Sequence, residues 1–128
     1  MILLRALLVA AGGTIGAGAR ITIDQLLPDA ARGPLSVLIV NVLGSFVLGV
    51  LIMHLQRLPW RLFVGTGVLG GFTTYSAFAV DVVQLWQQHP AWSTVFALGS
   101  VVAGLLAAYT GVRVGESFAR RRPRAGTP

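Results

Sequence analysis

GTGVLGGFTTYSAFAVD, residues 65–81, decides how this chain is read. The stretch sits inside the third of four long apolar runs, yet it holds four glycines, then two threonines, a tyrosine and a serine, with no charge before Asp81. A helix crossing lipid must satisfy its own backbone, so an interrupted segment persists at membrane depth only where protein buries it or it lines a wet cavity. The glycines loosen the backbone, and β-branched Thr73 and Thr74 follow where a helix would otherwise continue. The expectation is a break between Gly70 and Thr74 that frees carbonyls for a cation and turns the N–H groups of the next half-helix toward an anion. The competing reading is an unbroken helix whose glycines serve close packing and whose hydroxyls bond back to carbonyls four residues earlier.

The surroundings of that stretch are those of an integral membrane protein. The 128 residues are 55% hydrophobic and 11% charged, with a mean hydropathy of +0.76, too apolar for an ordinary soluble domain. Crossing the hydrocarbon takes roughly 20 apolar residues. Residues 2–23, 34–55, 60–86 and 91–115 qualify. The first run is expected to be retained and not cleaved as a signal peptide, because three spans of the same character follow it. The fold class is therefore an all-α membrane protein of four transmembrane helices, with a broken third helix as the expectation. Residues 1–116 form one transmembrane domain, and residues 117–128, ending RRRPRAGTP, form a basic tail expected to be disordered.

Composition also excludes. The net charge of +6 comes from arginines at the ends of the apolar runs and in the tail, without the clustered basic face of a nucleic-acid binder. The chain has no cysteine, so disulfides, thiolate metal sites and thiol catalysis are ruled out. No catalytic constellation, nucleotide loop or transition-metal spacing is present, and the chain does not read as an enzyme.

Outward from the central stretch, polar residues recur inside the other spans. Asn41 lies seven residues past Pro34, roughly 10 Å into the second span at 1.5 Å per residue, and Ser45 is on the same helix face. They read either as an interhelical hydrogen-bonding pair or as a track of neutral donors for a small anion. Tyr75 and Phe78 share a face of the second half-helix, where they are core packing or an edge-on aromatic pair that meets an anion. Ser100 is the one polar side chain deep in the fourth span, along which Gly99, Ala103, Ala107, Gly111 and Gly115 mark a packing seam. Gly12, Gly13 and Gly16 in the first span read as packing residues, and Arg20 behind them as an interfacial anchor or an attractor of anions. Trp60, Trp86 and Trp92 fit the aromatic belts at the membrane surfaces.

Three stretches together resemble the CrcB/Fluc fluoride channel family: GGTIGAGAR at residues 12–20, VNVLGSFVLG at 40–49 and GTGVLGGFTTYSAF at 65–78. The resemblance implies four-helix subunits paired head-to-tail as an antiparallel, dual-topology dimer in the cell membrane, with fluoride paths along the subunit interface. It further implies a structural sodium ion at the dimer centre, held by backbone carbonyls of Gly70 and Thr73. By motif position Asn41 is the pore asparagine, Arg20 the vestibule arginine, and Tyr75 and Phe78 the aromatics flanking the fluoride path. Two positions depart from the family pattern: Tyr75 stands where phenylalanine is usual, and Ala77 where a hydroxyl residue is usual, with Thr74 and Ser76 placed to compensate. The expected function is passive fluoride export that lowers fluoride toxicity, along Asn41, Ser45, Thr74, Tyr75, Ser76, Phe78 and Ser100.

Two rivals remain at this stage. A small proton-coupled exporter needs a membrane-embedded carboxylate, and Asp24, Asp29, Asp81 and Glu116 all read as loop or span-end residues. A non-transporting assembly protein would tolerate loss of Asn41 or Tyr75. With both termini on one side, eight arginines lie on that side and two, Arg20 and Arg32, on the other. This bias favours cytoplasmic termini and leaves the partner open between an inverted copy and an inverted paralogue.

Overall fold

Large apolar side chains in this molecule face outward. In the computed structural model, which describes residues 1–29 and 32–120, Leu3, Ile15, Leu43, Val83, Leu98 and Leu105 are all exposed, whereas the buried apolar residues are Val37, Val40, Leu69 and Ala107. In lipid the outward set meets hydrocarbon, and helices associate through close packing and hydrogen bonds.

Four segments are long and apolar enough to cross a bilayer: α1 (Ile2–Leu26), α2 (Pro34–Ile52), a third crossing (Leu58–Gln88) and a last helix, α4 (Pro90–Arg120). No strand occurs among the described residues. Pro34 opens α2, where its missing N–H is harmless. The turn before it is closed by Arg32, which donates to the Asp24 and Gln25 carbonyls at the end of α1 and pairs with Asp29. The fourth helix runs to Arg120 and not to Gly115, so residues 117–120, assigned to the tail from the sequence, are helical. No glycine or proline intervenes after Gly115 to stop the winding, and Arg120 suits the negative end of the helix dipole. Residues 121–128 lie outside the described residues.

The third crossing is broken. Leu58–Trp60 is one α turn, Arg61–Leu69 is wound as a π-helix, and Gly70–Phe72 returns to α geometry. Thr73 (ψ 154°) and Thr74 (φ −143°, ψ 121°) are extended, and α3 (Tyr75–Gln88) begins beyond them. The interruption thus falls inside the expected window, about midway along the crossing. The π winding was not expected; π-helices are rarely this long.

Glycines set the packing. α1 lies against residues 61–72 with backbones in contact: a Cβ at Gly12 would collide with the Phe63 carbonyl, one at Gly16 with the Val68 carbonyl, and one at Gly71 with the Gly13 carbonyl. α2 lies along α4 in the same way, with Gly49 against the Ala108 carbonyl, Gly111 against Phe46 and Gly115 against Val50. The seam read along the fourth span therefore holds over Ala107, Gly111 and Gly115, which are buried, while Gly99 faces open space. Above that level α4 turns to α3, joined by Ser93 Oγ donating to the Val82 carbonyl (2.6 Å) and by Phe78 against Phe96, with ring centroids 5.7 Å apart. Overpacking of this kind is destabilising by about 1–3 kcal/mol. Gly16→Ala should lower the thermal unfolding temperature in detergent by several degrees, and Gly18→Ala, which faces open space, should leave it unchanged.

Candidate functional site

The break exposes backbone, and one side chain answers for it. Thr74 N–H donates to Asn41 Oδ1 (2.8 Å), and Asn41 Nδ2–H donates to the Thr74 carbonyl (3.0 Å). The amide of α2 thus forms a reciprocal pair with the peptide groups of the interruption, as a neighbouring strand would. Two-sided engagement also fixes which end of the amide is oxygen. Thr74 is 8% exposed, so without Asn41 both groups would be buried unpaired, a loss of about 1–3 kcal/mol each.

The threonines complete the ends. Thr73 Oγ1 donates back to the Leu69 carbonyl (2.9 Å), which also receives Thr73 N–H (3.0 Å). Back-bonding of the hydroxyl thus coexists with a broken helix. Thr74 is the N-cap of α3: its Oγ1 accepts from Ala77 N–H (3.2 Å) and shares a hydrogen bond with Ser76 Oγ (3.3 Å). Among the described residues, no backbone N–H reaches the carbonyls of Gly70 or Thr73 across the interruption.

An open-sided groove of about 410 Å³ runs beside the break. Asn41, Gly44, Ser45 and Leu48 line it from α2, at the i, i+3, i+4, i+7 spacing of one helix face. Gly65, Gly70, Thr73, Thr74, Tyr75 and Phe78 line it from the third crossing, and Ser100 and Val101 from α4. The structure therefore brings together Asn41, Ser45, Thr74, Tyr75, Phe78 and Ser100, with Gly70 and Thr73 beside them. Ser76 does not line the groove; its hydroxyl is shared with Thr74 at the cap. Arg20 lies elsewhere, in a second cavity of about 230 Å³ with Asp24, Ser36, Thr74 and Asp81.

The groove is apolar in outline with neutral donors at points along it. Ser100 Oγ is buried without a partner. Of the two Asn41 N–H groups counted as free donors from the sequence, one is held by Thr74 and one remains. Tyr75 is 81% exposed and its ring lies 6.1 Å from that of Phe78, tilted by 43°. Gly44 was not singled out from the sequence, yet it is required: a Cβ there would collide with the Thr73 methyl. Its spacing from Asn41 and Ser45 is the signal that could have found it.

Asp81 is more enclosed than a span-end residue need be. It lies within α3, is 8% exposed, and shares a cavity with Asp24 near the end of α1 and Ser36 at the head of α2. The turn before α2 folds over it, with Gly33 at φ +79° near its carboxylate. Its place beside that turn agrees with a position near a span end, and its burial is what the sequence did not show.

Four crossings, one interrupted at mid-depth beside a groove of neutral donors, define a multi-pass membrane protein of the transport class and not an enzyme. Residues 7–112 match the family model described as CrcB-like protein, Camphor Resistance (CrcB), and the chain belongs to that family. It is 38% identical over 125 residues to a protein of Leifsonia xyli subsp. xyli named fluoride-specific ion channel FluC 2, covering 91% of this chain and 86% of that one. It is 43% identical over 110 residues to fluoride-specific ion channel FluC 1 of Rhodococcus jostii, covering 84% and 82%. With the fluoride-specific ion channel FluC of Mesorhizobium japonicum the identity is 38% over 121 residues, covering 88% and 96%.

Proposed function

We infer that this chain is one subunit of a fluoride channel that lets the anion leave the cell passively, down its electrochemical gradient. The observation that carries this reading is the groove beside the broken third crossing, in a chain whose relatives are named for fluoride. Fluoride is small and strongly hydrated, so a path must replace its water with aligned donors, each weak enough to release it. Ser45, the remaining N–H of Asn41, Ser100 and the Tyr75 hydroxyl are such donors, and ring edges of Tyr75 and Phe78 add positive surface without a full charge. Arg20 raises the local anion concentration in the second cavity, which meets the groove at Thr74.

The groove is open on one side, with Tyr75 outermost. Lipid cannot serve hydroxyl and carbonyl groups at that depth, which supports a covering partner. The partner is a second chain inverted in the membrane, so that two broken crossings face one another. The unbonded carbonyls of Gly70 and Thr73 suit a hard, oxygen-preferring monovalent cation. One chain offers two of them; a partner related by a two-fold axis would double the number. Sodium bound there would supply positive charge that neutralises the exposed carbonyls and ties the two breaks together.

A proton-coupled exporter is the rival that would use a buried carboxylate such as Asp81, and flux measurements separate the two. Liposomes carrying the dimeric protein, assembled with an inverted paralogue where the chain alone is monomeric, should release fluoride at least a hundred-fold faster than chloride without any proton gradient. Asn41→Ala and Tyr75→Ala should lower that flux at least ten-fold in a preparation that stays dimeric. Equal release of the two halides, or release only when a proton gradient is imposed, would refute the channel. For the cation, replacing sodium by N-methylglucamine at equal ionic strength should lower the unfolding temperature, by the linkage between binding and stability; an unchanged temperature would remove sodium from the account.

A further inference from the structure

The second cavity is lined by one cation and two carboxylates, Arg20, Asp24 and Asp81. Arg20 from α1 and Asp81 from α3 both line it, yet no ion pair within 4.0 Å joins them. Arg20 Nε is buried without a hydrogen-bond partner, and so is Asp81 Oδ2. Buried charged groups are ordinarily paired, because an unpaired one forfeits its hydration. Here each points into a shared space of about 230 Å³.

The carboxylate lies beneath the turn before α2. Gly33, at the head of α2, adopts φ +79°, and a Cβ built on it would lie 3.8 Å from Asp81 Oδ1. The other acidic residue of the cavity, Asp24, accepts from Ser36 Oγ at 2.6 Å through Oδ1, so of the two carboxylates Asp81 is the one with an oxygen left without a partner among the described residues. Asp81 therefore faces the interior with Arg20 as the cation that shares its space. The cavity adjoins the groove: Thr74, whose backbone Asn41 braces, lines both.

A guanidinium whose counter-charge is reduced, in a partly dehydrated cavity, would attract an anion and hold it longer, because Coulomb attraction strengthens as the effective dielectric falls. Conduction needs each stop to be left as readily as it is reached. We propose that Asp81 is the counter-charge that prevents the Arg20 cavity from trapping the anion, and so sets how strongly fluoride is retained at the mouth of the groove. The proposal rests on the fluoride-channel reading above and adds a residue to it. Asp81 acts through Arg20 and the local potential, and is a positioning residue with no bond to the ion.

The test is the fluoride dependence of release from liposomes, at constant ionic strength, for the dimeric protein and its variants. Asp81→Asn and Asp81→Ser should each lower the half-saturating fluoride concentration and the maximal rate by roughly three- to ten-fold, and make the flux sensitive to block by chloride, as a less compensated cation would. Asp81→Glu should stay near the wild type, and so should Asp29→Asn, which removes one negative charge from an exposed site on the same side. In an Arg20→Gln background, Asp81→Asn should change neither parameter further. Wild-type liposomes that release no fluoride would refute the channel reading itself. Wild-type release with folded neutral variants of unchanged half-saturation, or an Asp81→Asn effect that persists without Arg20, would overturn only the counter-charge. Failure of both neutral variants to fold while Asp81→Glu folds would mark Asp81 as a brace for the turn before α2 and would also overturn it.

Discussion

A peptide chain cut in two at membrane depth has to be made whole by its neighbours, and here one amide does so. Asn41 gives a donor and an acceptor to the two peptide groups of Thr74, replacing water that hydrocarbon cannot supply. Nearly every other contact can be traced to that bracket. Gly44 leaves room for the Thr73 methyl one turn further along α2. The glycines of α4 seat α2 at the distance the bracket needs, and those of α1 hold residues 61–72 on the near side of the break. The Thr74 hydroxyl then starts α3 by capping it.

The same interruption leaves some groups unanswered, and those define the site. Carbonyls of Gly70 and Thr73 end one half-helix without partners, the Ser100 hydroxyl is buried and unpaired, and Tyr75 stands outermost on the groove. Such a surface is stable in lipid only when something polar and something protein-like cover it. The inverted second chain and small ions proposed for this protein would meet both requirements. The charge arrangement agrees with the chemistry: neutral donors line the groove, while the guanidinium of Arg20 sits apart from it in a cavity shared with carboxylates.

Much of this was legible in the residues because membrane folds obey length and periodicity. Four apolar runs gave four crossings, and the crowding of glycine before Thr73 and Thr74 located the break. Gly12 and Gly16 gave the α1 contact because a small residue every fourth position has no other use in lipid. What was not legible depends on pairs distant along the chain. Position 41 meets position 74 only after α2 and the third crossing pack, so the sequence offered Asn41 as an interhelical bonding residue or as a donor for an anion without naming its partner. The burial of Asp81 was not legible because counting residues along a span measures depth and cannot show a turn folded back over a side chain. The π winding of Arg61–Leu69 has no local signature, and the helical stretch past Gly115 was hidden by the basic residues that follow it.

The central claim is that Asn41 both braces the break and offers its remaining hydrogen to fluoride. It is tested most directly by the side-chain and backbone ¹⁵N resonances of the protein in bilayers, titrated with sodium fluoride against sodium chloride at equal strength. The account predicts a Thr74 amide protected from exchange under all conditions and an Asn41 side-chain signal that moves with fluoride and not with chloride. A Thr74 amide that exchanges freely, or an Asn41 signal that ignores fluoride or follows both halides alike, would contradict it.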